Sequence, residues 1–223
     1  MKACKVVSIV SLVLAWSGIA LAQDPVKVDS EHYKVVFENA TVRVLKIDYA
    51  AGAKSPMHQH PDAIVVPLAA AKVRFTMPDG KSEERDMASE SALYTPAGTH
   101  SPANIGTGRI DGILVEFKSK APGNAVVPAS RAGMAMKLLA EGPYGMAYRN
   151  TADPTFQEAA GSKHDYDQVV IALASSKMSL SIDGEPAKTT WERGDVQFIG
   201  RGVPHEAKNA SGKPVDYVIV TIK

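Results

Sequence analysis

The chain has 223 residues, 45% of them hydrophobic and 22% charged, with 17 Gly and 14 Pro. That composition excludes a disordered or fibrous polypeptide and suffices for one large domain or two small ones. The formal net charge of +1 shows no block of like charges, and only 6% of residues are aromatic. A nucleic-acid surface, a base-stacking platform and electrostatic membrane attachment are therefore not expected.

Residues 1–22 read as a secretory signal peptide of bacterial type. Lys2 and Lys5 precede an apolar run from Val6 to Ala22, and Ala20-Leu21-Ala22 is a small-residue cleavage pattern with the cut after Ala22. The run falls short of the roughly 20 residues of a membrane span. The expected destination is the periplasm or the medium, with no membrane contact after cleavage. This segment holds two of the 25 basic residues and none of the 24 acidic ones, so its removal leaves a net charge of −1. It also holds Cys4, the only cysteine. The mature chain then has no disulfide, no thiol nucleophile and no sulfur ligand for a metal.

Short β-type runs follow in chain order: Thr41–Asp48, Lys72–Met77, Gly112–Phe117, Lys177–Ile182 and Val215–Ile222. Several alternate apolar and polar residues with period two, the pattern of half-buried strands. Turn signals at Pro78-Asp79-Gly80 and Asp183-Gly184 follow two of them. Only Ser130–Ala140 has a helical pattern, and Gly133 interrupts it. An all-β fold is expected.

The chain also repeats itself. Asp62–Val73 lies over Asp167–Met178 without a gap and matches at five of twelve positions. The offset is 104 between His60 and His164 and 105 between His100 and His205. A duplication accounts for this near-constant offset. The Pro-, Gly- and Ala-rich stretch Ser119–Ser130 reads as a linker. It places domain 1 at 23–120, the linker at 121–128 and domain 2 at 129–223.

Five of the six histidines (His58, His60, His100, His164 and His205) fall in the repeated blocks; His32 does not. His58 and His60 are two apart, so on a strand both rings face one side and reach one ion. His100 lies in a Pro/Gly turn entering another strand. Neutral imidazoles without thiolates suit Zn, Fe, Ni or Cu.

Gly52-x5-His58-x-His60 resembles the opening of the first cupin motif. Pro96-x-Gly98-x-His100-x3-Asn104 resembles the second, one residue short before the histidine. Gly194-Asp195-x4-Gly200-x-Gly202-x2-His205-x3-Asn209 has the second motif's spacing, with Gly200 where Pro is usual. The resemblance covers both halves. It implies a secreted bicupin, two tandem jelly-roll β-barrels. It also implies a divalent metal (Fe, Mn, Ni, Zn or Cu) and a small-molecule ligand. The family's usual glutamate position is Ile64 here, which leaves a three-histidine site of His58, His60 and His100, as in some cupin dioxygenases. A β-bulge would restore the aim of His100, and Asp62, in strand phase with both histidines, would orient one of the rings. In the second half Ser162 and Gln168 replace the first histidine and the glutamate. A second, weaker site would draw on His164, Gln168 and His205; the preferred reading is a lobe that has lost its metal.

Other candidates are structural. Glu83-Glu84-Arg85-Asp86 reads as a solvated loop or strand face, Trp191–Asp195 as a turn, and Met134, Met136 and Met146 as core. No nucleophile elbow, phosphate loop or HExxH helix is present. If the protein is an enzyme, the expected class is a metal-dependent oxidoreductase of dioxygenase type on a small organic acid or diketone. The alternative is a non-catalytic periplasmic small-molecule or metal-binding cupin. An oxalate-type bicupin using Mn is disfavoured by the missing glutamates, and oligomerisation is compatible with two barrels in one chain.

Overall fold

The computed structural model describes residues 23–119, 125 and 131–223. The expected signal peptide, with Cys4 and Ala22, and the expected linker apart from Ala125 lie outside the described residues. Among the described residues the first half has one short helix, α1 (Pro25–Val28), and nine strands. These are β1 (Tyr33–Glu38), β2 (Val42–Tyr49), β3 (His58–His60), β4 (Ala63–Pro67), β5 (Ala71–Thr76), β6 (Ser82–Met87), β7 (Leu93–Thr95), β8 (Gly98–Asn104) and β9 (Ile110–Phe117). The second half has eight: β10 (Met134–Glu141), β11 (Gly145–Ala152), β12 (Gln168–Ala172), β13 (Met178–Ile182), β14 (Glu185–Lys188), β15 (Val196–Ile199), β16 (His205–Asn209) and β17 (Val215–Ile222). Among the described residues no helix is long and apolar enough to cross a membrane.

Sheet order carries the duplication. The first half has a sheet β1-β2-β9-β4-β7 and a second sheet β3-β8-β5-β6; the other half has β10-β11-β17-β12-β15 and β14-β13-β16. The five-stranded sheets run in the same order, strand for strand. Each half is a small antiparallel jelly-roll barrel, as the family resemblance implies. The Asp183-Gly184 turn joins β13 to β14 with both residues at positive φ, the mirror-image turn that matches strand twist.

The central strands of the two five-stranded sheets are buried on both faces. In β2, β9, β4, β12 and β17, alternate residues (Val42, Val44, Ile113, Val115, Ile64, Val66, Val169, Ile171, Val218, Val220) join one core shared by the two halves. The other face of each strand lines its own barrel, with Leu45, Tyr49, Ala63 and Leu114 in the first and Val170, Ala172, Val215 and Tyr217 in the second. This explains why Ala63–Pro67 and Gln168–Ala172 read as apolar runs rather than alternations. Phe37 stacks on Phe198 at 4.8 Å between the halves, and Arg193 pairs with Asp111 at 2.7 Å.

The helical pattern read over Ser130–Ala140, already interrupted at Gly133, does not become a helix among its described residues 131–140. From Met134 to Glu141 the chain is β10, paired with β11, with a register shift between Leu138 and Ala140. Its Ala, Met, Lys and Leu residues favour helix, but pairing along the whole of β11 outweighs a propensity of tenths of a kcal/mol per residue. The acidic cluster at 83–86 lies on the largely exposed β6.

Candidate metal centres

In the first barrel β3 pairs with β8, and His58 lies directly opposite His100. No bulge is needed to aim His100. Gln59 points out while His58 and His60 are buried, as strand alternation requires. The His58 and His100 ring centroids are 5.2 Å apart, and those of His60 and His100 4.9 Å. All three rings line a cavity of about 100 Å³ with mostly apolar walls, to which Tyr33, Val65, Phe75 and Leu114 contribute. Arg85 lines it too.

Backbone carbonyls fix two of the rings. His58 Nδ1 donates to the Pro56 carbonyl at 2.9 Å and His60 Nδ1 to the Pro61 carbonyl at 2.7 Å. A carbonyl only accepts, so Nδ1 carries the proton and Nε2 keeps its lone pair in both rings. Burial lowers the pKa of His58, outweighing the Pro56 carbonyl. His100 is pushed down to about 3, first by burial and then by His60 and His58. Oriented imidazoles with free lone pairs fit a divalent ion of the borderline class.

Asp62 does not orient these rings. Pro61 follows the last residue of β3, which breaks the strand phase, and Asp62 Oδ1 accepts the Tyr94 hydroxyl at 2.8 Å. The Pro56 and Pro61 carbonyls take the orienting role. Spacing rules also give no sign of Tyr33, whose hydroxyl lies 3.2 Å from His58 Nε2. Nor do they flag Glu116, fully buried on β9 with Oε1 unpartnered and Oε2 2.5 Å from Arg43 Nε. Burial raises its pKa, against the pull of Arg43.

The second barrel repeats the geometry with different side chains. Ser162 bridges to His205, as His58 does to His100. His164, Gln168 and His205 all line a smaller cavity, of about 30 Å³. The structure adds Glu158, absent from the spacing argument because its counterpart 104 residues earlier is Lys54. Among the described residues, only Glu158, His164 and His205 bring three ligand atoms within 4.8 Å of one another. The first-barrel rings adjoin without closing to that spacing. Gln168 Oε1 is buried without a partner. Glu158 pairs with Arg131, whose second terminal nitrogen lies 3.3 Å from His164 Nε2. Burial, then Arg131 and His205, push His164 down to about 4.

No protein-family model and no curated protein matches the chain. Solved structures do. AerE from Microcystis aeruginosa is 15% identical over 86% of this chain and 97% of its own, with a TM-score of 0.62. A single-substitution variant of the B. subtilis oxalate decarboxylase is 12% identical over 85% of this chain and 71% of its own, with a TM-score of 0.62. A mutant of the salicylate 1,2-dioxygenase from Pseudoaminobacter salicylatoxidans is 14% identical over 82% of this chain and 71% of its own, with a TM-score of 0.61. At such identities the likeness shows the fold: the chain has the cupin fold in tandem.

Proposed function

We propose that this chain is a secreted bicupin whose first barrel holds a divalent metal through His58, His60 and His100 and acts on a small organic acid or diketone in a dioxygenase-type reaction. One observation carries the reading. Three adjoining imidazoles, two of them fixed by backbone carbonyls, open onto a largely apolar cavity of about 100 Å³. That space takes several waters or one compact organic molecule. The similar structures named as oxalate decarboxylase and salicylate dioxygenase support a small acidic substrate.

A bound divalent ion would supply a Lewis-acidic point that gathers substrate oxygens. The chain's own residues do the rest. The Pro56 and Pro61 carbonyls hold the first two rings in the tautomer that offers Nε2. Tyr33, Val65, Phe75 and Leu114 give the cavity walls that exclude bulk water, and Arg85, paired with Glu83 at 2.6 Å, adds a guanidinium that a substrate carboxylate would share. The signal peptide supports action in the periplasm or medium.

A second reading, a non-catalytic periplasmic binder, is favoured by the wider spacing of the first-barrel donors and by the Tyr33 hydroxyl on His58 Nε2. Anaerobic loading with Fe, Mn, Ni or Zn, removal of excess and metal analysis test the site; absence of bound metal overturns both the enzyme and the metal-binder. Oxygen uptake with salicylate, oxalate or a β-diketone then supports the enzyme, and ligand-induced thermal stabilisation without turnover supports the binder.

A further inference from the structure

The second barrel keeps the donors of a cation site, and a cation already stands among them. Glu158 is largely buried; its Oε2 accepts the Ala207 amide at 3.0 Å, and its Oε1 pairs with the guanidinium of Arg131. The same guanidinium lies 3.3 Å from His164 Nε2, so one side chain satisfies a carboxylate and an imidazole lone pair together. Those are the two kinds of donor that a divalent ion takes. A guanidinium carries a permanent charge and five donors and accepts nothing. It therefore meets these groups as a metal would.

What Arg131 leaves unmet is also informative. His205 donates Nδ1 to the Val203 carbonyl at 3.1 Å, which leaves Nε2 as the acceptor. That nitrogen is buried without a hydrogen-bond partner, 3.9 Å from Glu158 Oε2. Gln168 Oε1 faces the same cavity and is also unpartnered. A buried polar atom without a partner is costly. Two of them around one ion pair are expected where a multidentate cation has been replaced by a side chain of different shape. The cavity here is about 30 Å³, against about 100 Å³ in the first barrel.

We propose that the Arg131 guanidinium is the resident cation of the second barrel: it takes the place of a divalent metal among Glu158, His164 and His205, excludes it, and holds the lobe together by an internal ion pair. Removing Arg131 converts those three residues into a metal site. The proposal goes beyond the function proposed for the first barrel. Its test reads differences between variants of the second barrel, so it succeeds or fails whatever the first barrel binds.

The test uses the full chain, Co²⁺ titration followed by visible absorption, and metal analysis after removal of excess ion. Wild type and His205→Ala are expected to bind equal amounts. Arg131→Met is expected to bind one equivalent more than wild type, with new visible bands, and Arg131→Met/His205→Ala to return to the wild-type amount. A loss of one equivalent on His205→Ala alone overturns the proposal, because the metal then already sits beside Arg131. A folded Arg131→Met chain without extra metal overturns it as well. Should Arg131→Met be unfolded without metal, Co²⁺ is expected to refold it, and failure to do so counts against the proposal.

Discussion

Tyr33 places its hydroxyl 3.2 Å from Nε2 of His58, on the one ring nitrogen that the Pro56 carbonyl leaves free. Burial raises the pKa of Tyr33 well above its ordinary value, so the hydroxyl stays a donor. A metal bound through His58 needs the same lone pair. The two interactions compete, and Tyr33→Phe removes the competitor at little cost in shape. A net hydrogen bond contributes about 0.5–1.5 kcal/mol, so first-barrel metal affinity is expected to rise about two- to tenfold. Competition with a chromophoric chelator measures it. Weaker binding in Tyr33→Phe would show that the hydroxyl serves the loaded site instead.

Three depressed histidines give the fold a pH dependence of defined sign. His58 is lowered, His100 lies at about 3 and His164 at about 4, against an ordinary value near 6.5. Between those values the unfolded chain binds the proton and the folded chain does not. Their contribution is therefore complete above about pH 6.5 and is lost as pH falls toward 4 and 3. Glu116 acts the other way: its raised pKa favours the folded state as pH falls through its own window. Metal-free protein is expected to melt at steadily lower temperature from pH 7 to pH 4. His100→Gln should flatten that slope, and an unchanged slope would show that His100 is not held neutral.

Asn104 and Asn209 perform one task in both barrels. Asn104 Nδ2 donates to the carbonyls of Tyr49, Ala50 and Gly108, and its Oδ1 accepts the Gly106 amide. Asn209 Nδ2 donates to the carbonyls of Ala152, Asp153 and Lys213, and its Oδ1 accepts the Ser211 amide. Both side chains are buried, so alanine removes three donated bonds and one accepted bond from each turn. Each substitution is expected to cost about 2–4 kcal/mol, read by urea unfolding, with the bound metal unchanged. A change in metal content on Asn104→Ala would give that residue a role at the site as well.

This pair also marks how far sequence reading reaches. The asparagines, the histidines and the turns sit at fixed spacings inside a repeat, and the repeat survives in the strand order of both five-stranded sheets. Residues brought to a site from outside the repeated blocks leave no such trace. Tyr33 arrives from β1, Arg131 from beside the expected linker, and Glu158 from a loop whose first-half counterpart is Lys54. Asp62 misled because period-two phase was carried through Pro61, where β3 ends. Residues 134–141 misled because their helix propensity is real but small beside a full edge-strand pairing.

Gly145 is expected to be the least substitutable glycine of the shared core. It pairs with Ile222 on β17, and a Cβ there would lie 2.5 Å from Phe117 Cζ and 2.6 Å from the Thr221 carbonyl oxygen. The carbonyl is backbone within a paired strand and cannot turn aside. Phe117 is itself stacked between Tyr94 and Tyr144, at 6.1 and 6.4 Å. Gly145→Ala must therefore move a strand or the ring stack between the halves, at a cost of about 3 kcal/mol or more. Gly184→Ala supplies the contrast. Nothing lies within 4 Å of its Cβ position, and only the φ of +81° resists the change, for about 1–2 kcal/mol. Urea midpoints for the two variants separate packing from backbone strain. Equal losses would mean that the five-stranded sheets slide apart more readily than their contacts imply.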